Sequence, residues 1–475
     1  MTTRSRLYSI FALSGAICYA LALTISSLLW PSYALKPLWM AWGTGAVAFF
    51  FLSSWLAQHK LNNINIEDKK FLRIIFLIAF AIRVVYVIAI GYYYYYQTGS
   101  AFEYVASDSI LYHDTAKYMA RCIRQGRFAY AYQYLRYTVY PMGFSDQGYL
   151  IWLSLVYSIF GNNLLVPRLL KALMGAYACV AIYRLALRCT DKRTAMLSAI
   201  ICAFMPTLIH YNGLHLKETE MMFVAVLAIE RTDNLIRSRK YTFLNIALPV
   251  FFTVMTFGFR TVLGMSVLFA YMAFIVLAPN EVIKRRTKII ASTTIILITI
   301  AFTFTIIGNE MKVIYRLKDK TTGLLVEKYE KAGLSHAELA QNKYLAPGVF
   351  VLPMATFTEV GNANQKMMNG DTYVKNFLAA FVMWAFIVMI RRKEWRNMSL
   401  VTSFVIAYAG IIALSFFVTS ERYHFPLLPF YAIMAAYTIT HFKRKDFPFF
   451  YVYCVLLVLV LIGWNYIKLS ARGLV

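Results

Sequence analysis

Apolar runs of roughly 16 to 25 residues follow one another from end to end of the chain, the length a bilayer-crossing helix requires. About thirteen are predicted, near residues 7–30, 36–57, 71–92, 164–188, 194–210, 219–236, 242–257, 261–279, 289–308, 373–390, 398–419, 425–441 and 447–467. Every second gap between them carries a knot of cations. With the N-terminus on the cytoplasmic side, the inward gaps hold Lys60, Lys69, Lys70 and Arg73; Arg188, Lys192 and Arg193; Arg237, Arg239 and Lys240; Lys284, Arg285, Arg286 and Lys288; Arg391, Arg392, Lys393 and Arg396; and Lys443, Arg444 and Lys445. The positive-inside rule is then met at each crossing. This register needs the apolar stretch 148–161 to lie on the membrane, because a crossing there would invert the sign of every later loop. The first run, 7–30, is long for a signal peptide and reads as a retained anchor.

The expected fold is therefore all-α, a polytopic membrane protein with a single membrane domain over 1–475. Two outward insertions interrupt it, at 93–163 and at 309–372. The first follows the run Tyr92 to Tyr96, an interfacial aromatic belt. Within it Leu111, Tyr112, Thr115, Tyr118, Met119, Cys122 and Ile123 recur at helical spacing, which predicts an amphipathic helix at the surface. The second is Lys-rich, with short helices predicted over 324–332 and 335–345. Long loops weigh little in the orientation rule, so its lysines do not contradict the topology.

Composition changes the picture in one respect. The net charge of +26 raises the question of nucleic acid. The cations sit beside apolar spans rather than on one polar face, so they read as anchors near anionic headgroups and no nucleic-acid partner is expected. The six cysteines form no metal-type pair and imply no disulfide framework.

Candidate chemistry collects in the outward gaps. The first loop offers Glu103, Asp108, His113, Asp114, Arg121 and Asp146, and the turn near 210–220 offers His210, His215, Lys217, Glu218 and Glu220. Arg260 opens the span at 261, and Glu421, Arg422, Tyr423 and His424 precede the span at 425. Carboxylates and cations thus gather on one membrane face, on four separate elements. Such groups are costly unless paired, hydrated or used. A lipid-linked sugar phosphate suits the set, because its phosphate sits at headgroup level and its leaving group is already good. The protein need only hold the phosphate with cations and deprotonate an acceptor hydroxyl, which Arg and a carboxylate can do. For several residues a plainer reading stands beside this one: Asp108 as a helix cap, Glu218 as a partner of a helix dipole, Arg260 as a snorkelling anchor. Asp114 lies about a third of a turn off the Asp108 face, a solvated or paired neighbour rather than a second base. His210 and His215, five apart, do not share a helical face as a zinc pair does.

The stretch Asp108-Ser-Ile-Leu-Tyr112-His-Asp-Thr-Ala116, continuing to Gln125-Gly126, resembles the first outer loop of the C-type membrane glycosyltransferases. It is most like the group of protein O-mannosyltransferases and lipid A aminoarabinose transferases, glycosyltransferase family 39. Further resemblances follow in order: Gly148-Tyr149 to Phe160-Gly161, Arg168 to Gly175, Pro206 followed by Leu216-Lys217-Glu218, and Ser420-Glu-Arg422-Tyr423-His-Phe-Pro426. The resemblance implies an inverting transfer of a sugar from a polyprenyl-phosphate or diphosphate carrier to a hydroxyl of a glycan, lipid or protein. It implies Asp108 as catalytic base. Arg260 or Arg422 is implied to contact the donor phosphate; Lys217, Glu218, Tyr112, Tyr423 and Asp114 are the further candidates for substrate binding. Two features depart from the pattern: three spans precede the first outer loop where the aminoarabinose group has one, and Ser109 stands where relatives often have Glu. No cofactor beyond the lipid-linked donor is expected, and a divalent metal has no support. The implied location is a bacterial inner membrane with a periplasmic site. The competing readings are an O-antigen polymerase or ligase, which would use late-loop groups such as Arg316, Glu327 and Glu359, and a lipid or polysaccharide transporter.

Overall fold

The computed structural model describes residues 3–62, 67–104, 106–139, 145, 147–290, 293, 348–413, 418 and 420–475. Among the described residues there is no strand, and the one isolated backbone bridge joins Ala34 to Thr358. The helices in chain order are α1 (Thr3–Leu29), α2 (Pro37–Asn62), α3 (Asp68–Thr98), α4 (Ser107–Arg124), α5 (Phe128–Val139), α6 (Gln147–Phe160), α7 (Leu165–Cys189), α8 (Lys192–Phe204), α9 (Pro206–Gly213), α10 (Glu218–Ser238), α11 (Phe243–Phe259), α12 (Thr261–Leu277), α13 (Ala363–Met367), α14 (Asn369–Arg392), α15 (Ser399–Ala413), α16 (Glu421–His424), α17 (Leu428–His441) and α18 (Phe447–Ser470).

The all-α class holds. Six described helices are long and apolar enough to cross a membrane, or seven if one bent pair counts as a span. The expected thirteen spans are thus not all matched by described helices of that length. Four apolar helices, α6, α11, α12 and α15, are shorter than that. Most of the run near 289–308, the loop from 309 to 347 with its expected short helices, and Arg316, Glu327 and Asp146 lie outside the described residues.

The expected single span at 194–210 is instead the bent pair α8 and α9, which meet at 42°. Pro206 sits at the break. It has no N–H to give the carbonyl of Cys202 one turn earlier, and its ring crowds that turn. The freed carbonyls are not left bare, since Arg83 of α3 donates from Nη2 to Cys202 O at 3.2 Å and from Nη1 to Ala203 O at 3.2 Å. Its side chain is almost fully buried, so the guanidinium acts as a cap for a helix that a proline has interrupted.

Elsewhere glycines set the closest approaches. A Cβ on Gly370 of α14 would lie 2.3 Å from the carbonyl oxygen of Gly43 in α2. A Cβ on Gly148 of α6 would lie 2.9 Å from the backbone carbon of Gly258, two residues before Arg260. Neither position tolerates a side chain without a shift of backbone. The second contact fixes α6, and with it the first-loop helices packed on α6, against the turn that carries Arg260.

The expected amphipathic helix of the first loop is α4. Its buried face, including Thr115, Met119 and Cys122, turns toward Ala131 and Leu135 of α5 and Leu150 of α6. The helix α5 was not expected from the sequence.

Candidate active site

Asp108 lies in the first turn of α4. The residue before that helix, Ala106, makes no side-chain cap, and the Asp108 carboxylate does not cap either. It reaches instead to Arg422 of α16, whose Nη1 donates to Asp108 Oδ2 at 2.6 Å. The same guanidinium donates from Nε to Glu218 Oε1 at 2.9 Å, at the start of α10. One arginine thus joins two carboxylates from elements 110 and 204 residues apart in order along the chain. Glu218 is buried, whereas the Asp108 side chain is 48% exposed and that of Arg422 32%. The charge-assisted geometry is of the strong kind. Burial works against the Arg422 charge, yet Glu218 and Asp108 together hold its pKa above the ordinary arginine range.

Arg260 occupies the junction between α11 and α12. Its guanidinium stacks over the ring of Tyr423 at 4.3 Å, a cation–π distance. Its Nη1 is buried without a hydrogen-bond partner, and so is Oε2 of Glu218, one of its electrostatic neighbours. Lys217 precedes α10 and is 2% exposed. Its Nζ lies over the Tyr112 ring at 6.0 Å. Burial pushes the Lys217 ammonium down to about 7, and Arg260 adds to the push. Tyr112 stands one turn after Asp108 and meets Tyr149 edge-on at 5.1 Å between ring centres.

Asp108, Tyr112, Lys217, Glu218, Arg260, Arg422 and Tyr423 are therefore brought to one place. Asp114 is not. It is exposed, a third of a turn round α4, and its electrostatic neighbours are His113 and Tyr157. His210 pairs with Tyr86 at 2.7 Å, while His215 lies 3.2 Å from the Tyr157 hydroxyl. Arg422 fills the space between the Asp108 and Glu218 oxygens that a divalent ion bound by both would need. Among the described residues no three His, Cys, Asp or Glu side chains gather as a metal set.

Two buried groups that the sequence reading did not put in the site, Glu103 and Lys171, hold it in register. Glu103, 4% exposed, accepts the Ser109 hydroxyl on Oε1 and the His215 backbone N–H on Oε2 at 3.5 Å. It staples the start of α4 to the turn that presents Lys217 and Glu218. Lys171, in the body of α7, donates to the carbonyls of Leu214, at 2.9 Å, and of Leu216. Its Nζ is 3.7 Å from Glu220 Oε2. The signal available for Lys171 was its charge within an apolar span, a position that is rarely idle.

Residues 147–305 match the family model for dolichyl-phosphate-mannose-protein mannosyltransferases. A search of curated protein sequences returns no match. Among solved structures the chain is similar to the oligosaccharyltransferase of Archaeoglobus fulgidus in three states. It is 15% identical to the complex with zinc and sulfate, with a TM-score of 0.34 over 70% of this chain and 44% of that one. It is 14% identical to the oligosaccharyltransferase AglB with an inhibitory peptide and a dolichol-phosphate, at 0.41 over 85% and 56%. It is 15% identical to the form tethered to an acceptor peptide with the NVT sequon, at 0.42 over 86% and 55%. The chain spans about half the length of these proteins. The family match over 147–305 falls on α6 to α12, which supply Lys217, Glu218 and Arg260, so over that third of its length the chain is similar to the membrane mannosyltransferases of that family.

Proposed function

We propose that this protein moves a sugar from a polyprenyl-phosphate or polyprenyl-diphosphate carrier to a hydroxyl acceptor, with inversion, at the periplasmic face of a bacterial inner membrane. The N-terminus is cytoplasmic in this reading, and the loops around 93–163 and 309–372 form the outward insertions. One observation carries it. A buried donor without a partner, Arg260 Nη1, and a buried acceptor without a partner, Glu218 Oε2, stand beside an arginine shared by two carboxylates. Buried polar atoms left unsatisfied cost about 1–3 kcal/mol each. A sugar phosphate brings both an anion and hydroxyl groups, and satisfies both.

The carrier phosphate draws on Arg260, Arg422 and protonated Lys217. Its charge competes for the Arg422 guanidinium and loosens the Asp108 contact. The freed Asp108 carboxylate accepts the proton of the acceptor hydroxyl. The acceptor oxygen bonds to the anomeric carbon from the face opposite the phosphate. The bond from that carbon to the phosphate oxygen breaks, and its electron pair leaves with the carrier. Arg260 and Arg422 balance the charge that develops there. Glu218 Oε2 is free to orient a sugar hydroxyl, and Tyr112 and Tyr423 wall the site.

The test is turnover of lipid-linked sugars by purified Asp108→Asn protein. A loss of about 10²–10⁴-fold is expected for removal of a general base. Wild-type turnover by a folded variant removes Asp108 from the role. The polymerase or ligase alternative has less support, because Glu359 is engaged by Lys366 at 2.6 Å and by the Lys36 backbone N–H at 2.8 Å.

A further inference from the structure

We infer that Tyr408 of α15 is a positioning residue for the donor phosphate: it holds Arg260 off Glu218, so that one N–H of that guanidinium stays open to the carrier's anion. This rests on the transfer reading above and names what keeps its phosphate-binding cation available.

Two groups in the site fail to pair. Arg260 Nη1 and Glu218 Oε2 are buried, each lacks a hydrogen-bond partner, and the two residues are electrostatic neighbours. A buried charge left unpaired is costly, and a guanidinium fork matches a carboxylate. An unrestrained Arg260 would turn onto Glu218, satisfy both atoms and close the site to an incoming anion.

Two tyrosines restrain it in different ways. The guanidinium sits over the Tyr423 ring at 4.3 Å. That contact limits its distance from the ring but not its turning, because a ring face offers no directional acceptor. The N–H groups of the fork have fixed directions, so a hydrogen bond to one of them sets the orientation of the rest. The Tyr408 hydroxyl accepts that bond. Its other electrostatic neighbours are Tyr423 and Glu218, which puts it in the donor site.

The surroundings of Tyr408 suit this task. From Phe404 to Ala413 no other side chain is polar. Tyr408 is 1% exposed, and a buried tyrosine hydroxyl needs a partner. Its ring is itself held, stacked on Phe404 at 6.0 Å between centres and 14° between planes, while Phe404 meets Phe430 of α17 at 4.7 Å. The hydroxyl is thus a fixed point and cannot follow the guanidinium. Helix α15 also packs along α12, the helix that Arg260 opens, so anchor and cation move as one body.

The experiment measures binding to the full chain in phosphatidylcholine nanodiscs by calorimetry, with farnesyl phosphate as the charged probe and farnesol as the uncharged one. Tyr408→Phe removes one oxygen and keeps the ring. It should weaken farnesyl phosphate by about tenfold, the effect of losing a hydrogen bond to a charged group, and leave farnesol unaltered. Its melting temperature should stay at or above that of wild type, because the released Arg260 pairs with Glu218. A merely structural tyrosine gives the reverse, a lower melting temperature with unchanged affinity. In an Arg260→Lys background Tyr408→Phe should add no further loss, since no fork remains to be aimed. Tyr431→Phe, which strips a buried hydroxyl without a partner from α17, should change nothing. Unchanged farnesyl phosphate affinity in folded Tyr408→Phe overturns the proposal. So do equal weakening of farnesol, a full further loss in the Arg260→Lys background, and equal loss in Tyr431→Phe. Should Tyr408→Phe not fold, Tyr408→Met carries the same expectations for affinity. If Arg260→Lys alone leaves farnesyl phosphate binding intact, the donor reading loses its cation and the role of Tyr408 falls with it. If Arg260→Lys weakens binding and Tyr408→Phe does not, only the role of Tyr408 falls.

Discussion

Helix α10 carries ion pairs at both of its ends, and the two ends are built to different plans. At the C-terminal end both oxygens of Asp233 are taken by arginine, Oδ2 by Arg188 Nε at 2.6 Å and Oδ1 by Arg237 Nε at 2.7 Å. Arg188 also reaches Glu230 at 2.9 Å, and Arg237 Nη2 reaches the Asn397 carbonyl at 2.7 Å. The Asp233 side chain is fully buried. At the N-terminal end one arginine serves two carboxylates, one oxygen of Glu218 has no partner, and Asp108 is half exposed. Both ends contain the same residue types. At the first, the closed end, both oxygens of Asp233 are spoken for, and Glu230 Oε2, though without a hydrogen bond, lies 3.2 Å from Arg231 Nε, so every carboxylate oxygen there has a cation beside it and the end fastens α7 to α10. The second has spare valence and an opening to solvent, which is what a site for an anionic ligand needs.

Substitutions can break that contrast. The largest effect is expected at the open end in catalysis, the Asp108→Asn loss described above, with little change in stability because a half-exposed partner is removed. At the closed end the reverse is expected. Asp233→Ala leaves two arginines facing a buried gap and should destabilise the protein by about 3–5 kcal/mol. Thermal unfolding in nanodiscs reads this, and a melting point like wild type would show that the closed end is not the fastening it is taken for. A subtler change separates charge from shape. Arg422→Lys keeps the cation but loses the fork that spans Asp108 and Glu218. Donor KM should rise by about tenfold or more, for a lost charge-assisted bond of about 1.5–3 kcal/mol; an unchanged KM would mean that a point charge suffices.

The smallest effect is in pH. Burial and Arg260 lower the Lys217 pKa to about 7, so the ammonium is present below that value and lost as pH rises through it. Because the folded value lies below that of free lysine, the penalty on folding is greatest at low pH and fades as pH rises. Donor binding has the opposite sense, being stronger where Lys217 is charged. Donor affinity should fall several-fold as pH rises from 6 to 9, with the midpoint near or above 7, since a bound phosphate favours the charged form. Lys217→Met should flatten that profile. A profile that keeps its slope in the variant would assign the titration to another group.

Much of this was legible in the sequence, and the rest was not, for reasons that residues make plain. Helical class follows from long apolar runs, and the gathering of Asp108, Lys217, Glu218, Arg260 and Arg422 follows from their shared place at span ends. The bend between α8 and α9 hid inside a continuous apolar run, although Pro206 marked it. Helix α5 escaped because its alternating tyrosines, Tyr130, Tyr132 and Tyr134, follow a period of two rather than of a helix. Asp114 is a candidate that the sequence itself sets a third of a turn off the Asp108 face, and it is exposed there, turned away round α4. Glu103 and Lys171 act through backbone atoms of residues 112 and 43 to 45 positions away. No local pattern encodes a partner at that range.

The guanidinium of Arg83 has a consequence that reaches past its own neighbourhood. It pins α3 to the break between α8 and α9. The two segments stay in contact beyond it, with Tyr86 hydrogen-bonded to His210 at 2.7 Å, and are joined again where Glu103, downstream of α3, meets the His215 amide, downstream of α9. The chain there forms a closed frame with a fixed joint at each corner, so the two stretches cannot slide past each other. Asp108 and Lys217 follow within a few residues of that last joint, one on each segment, so the frame fixes the spacing between them.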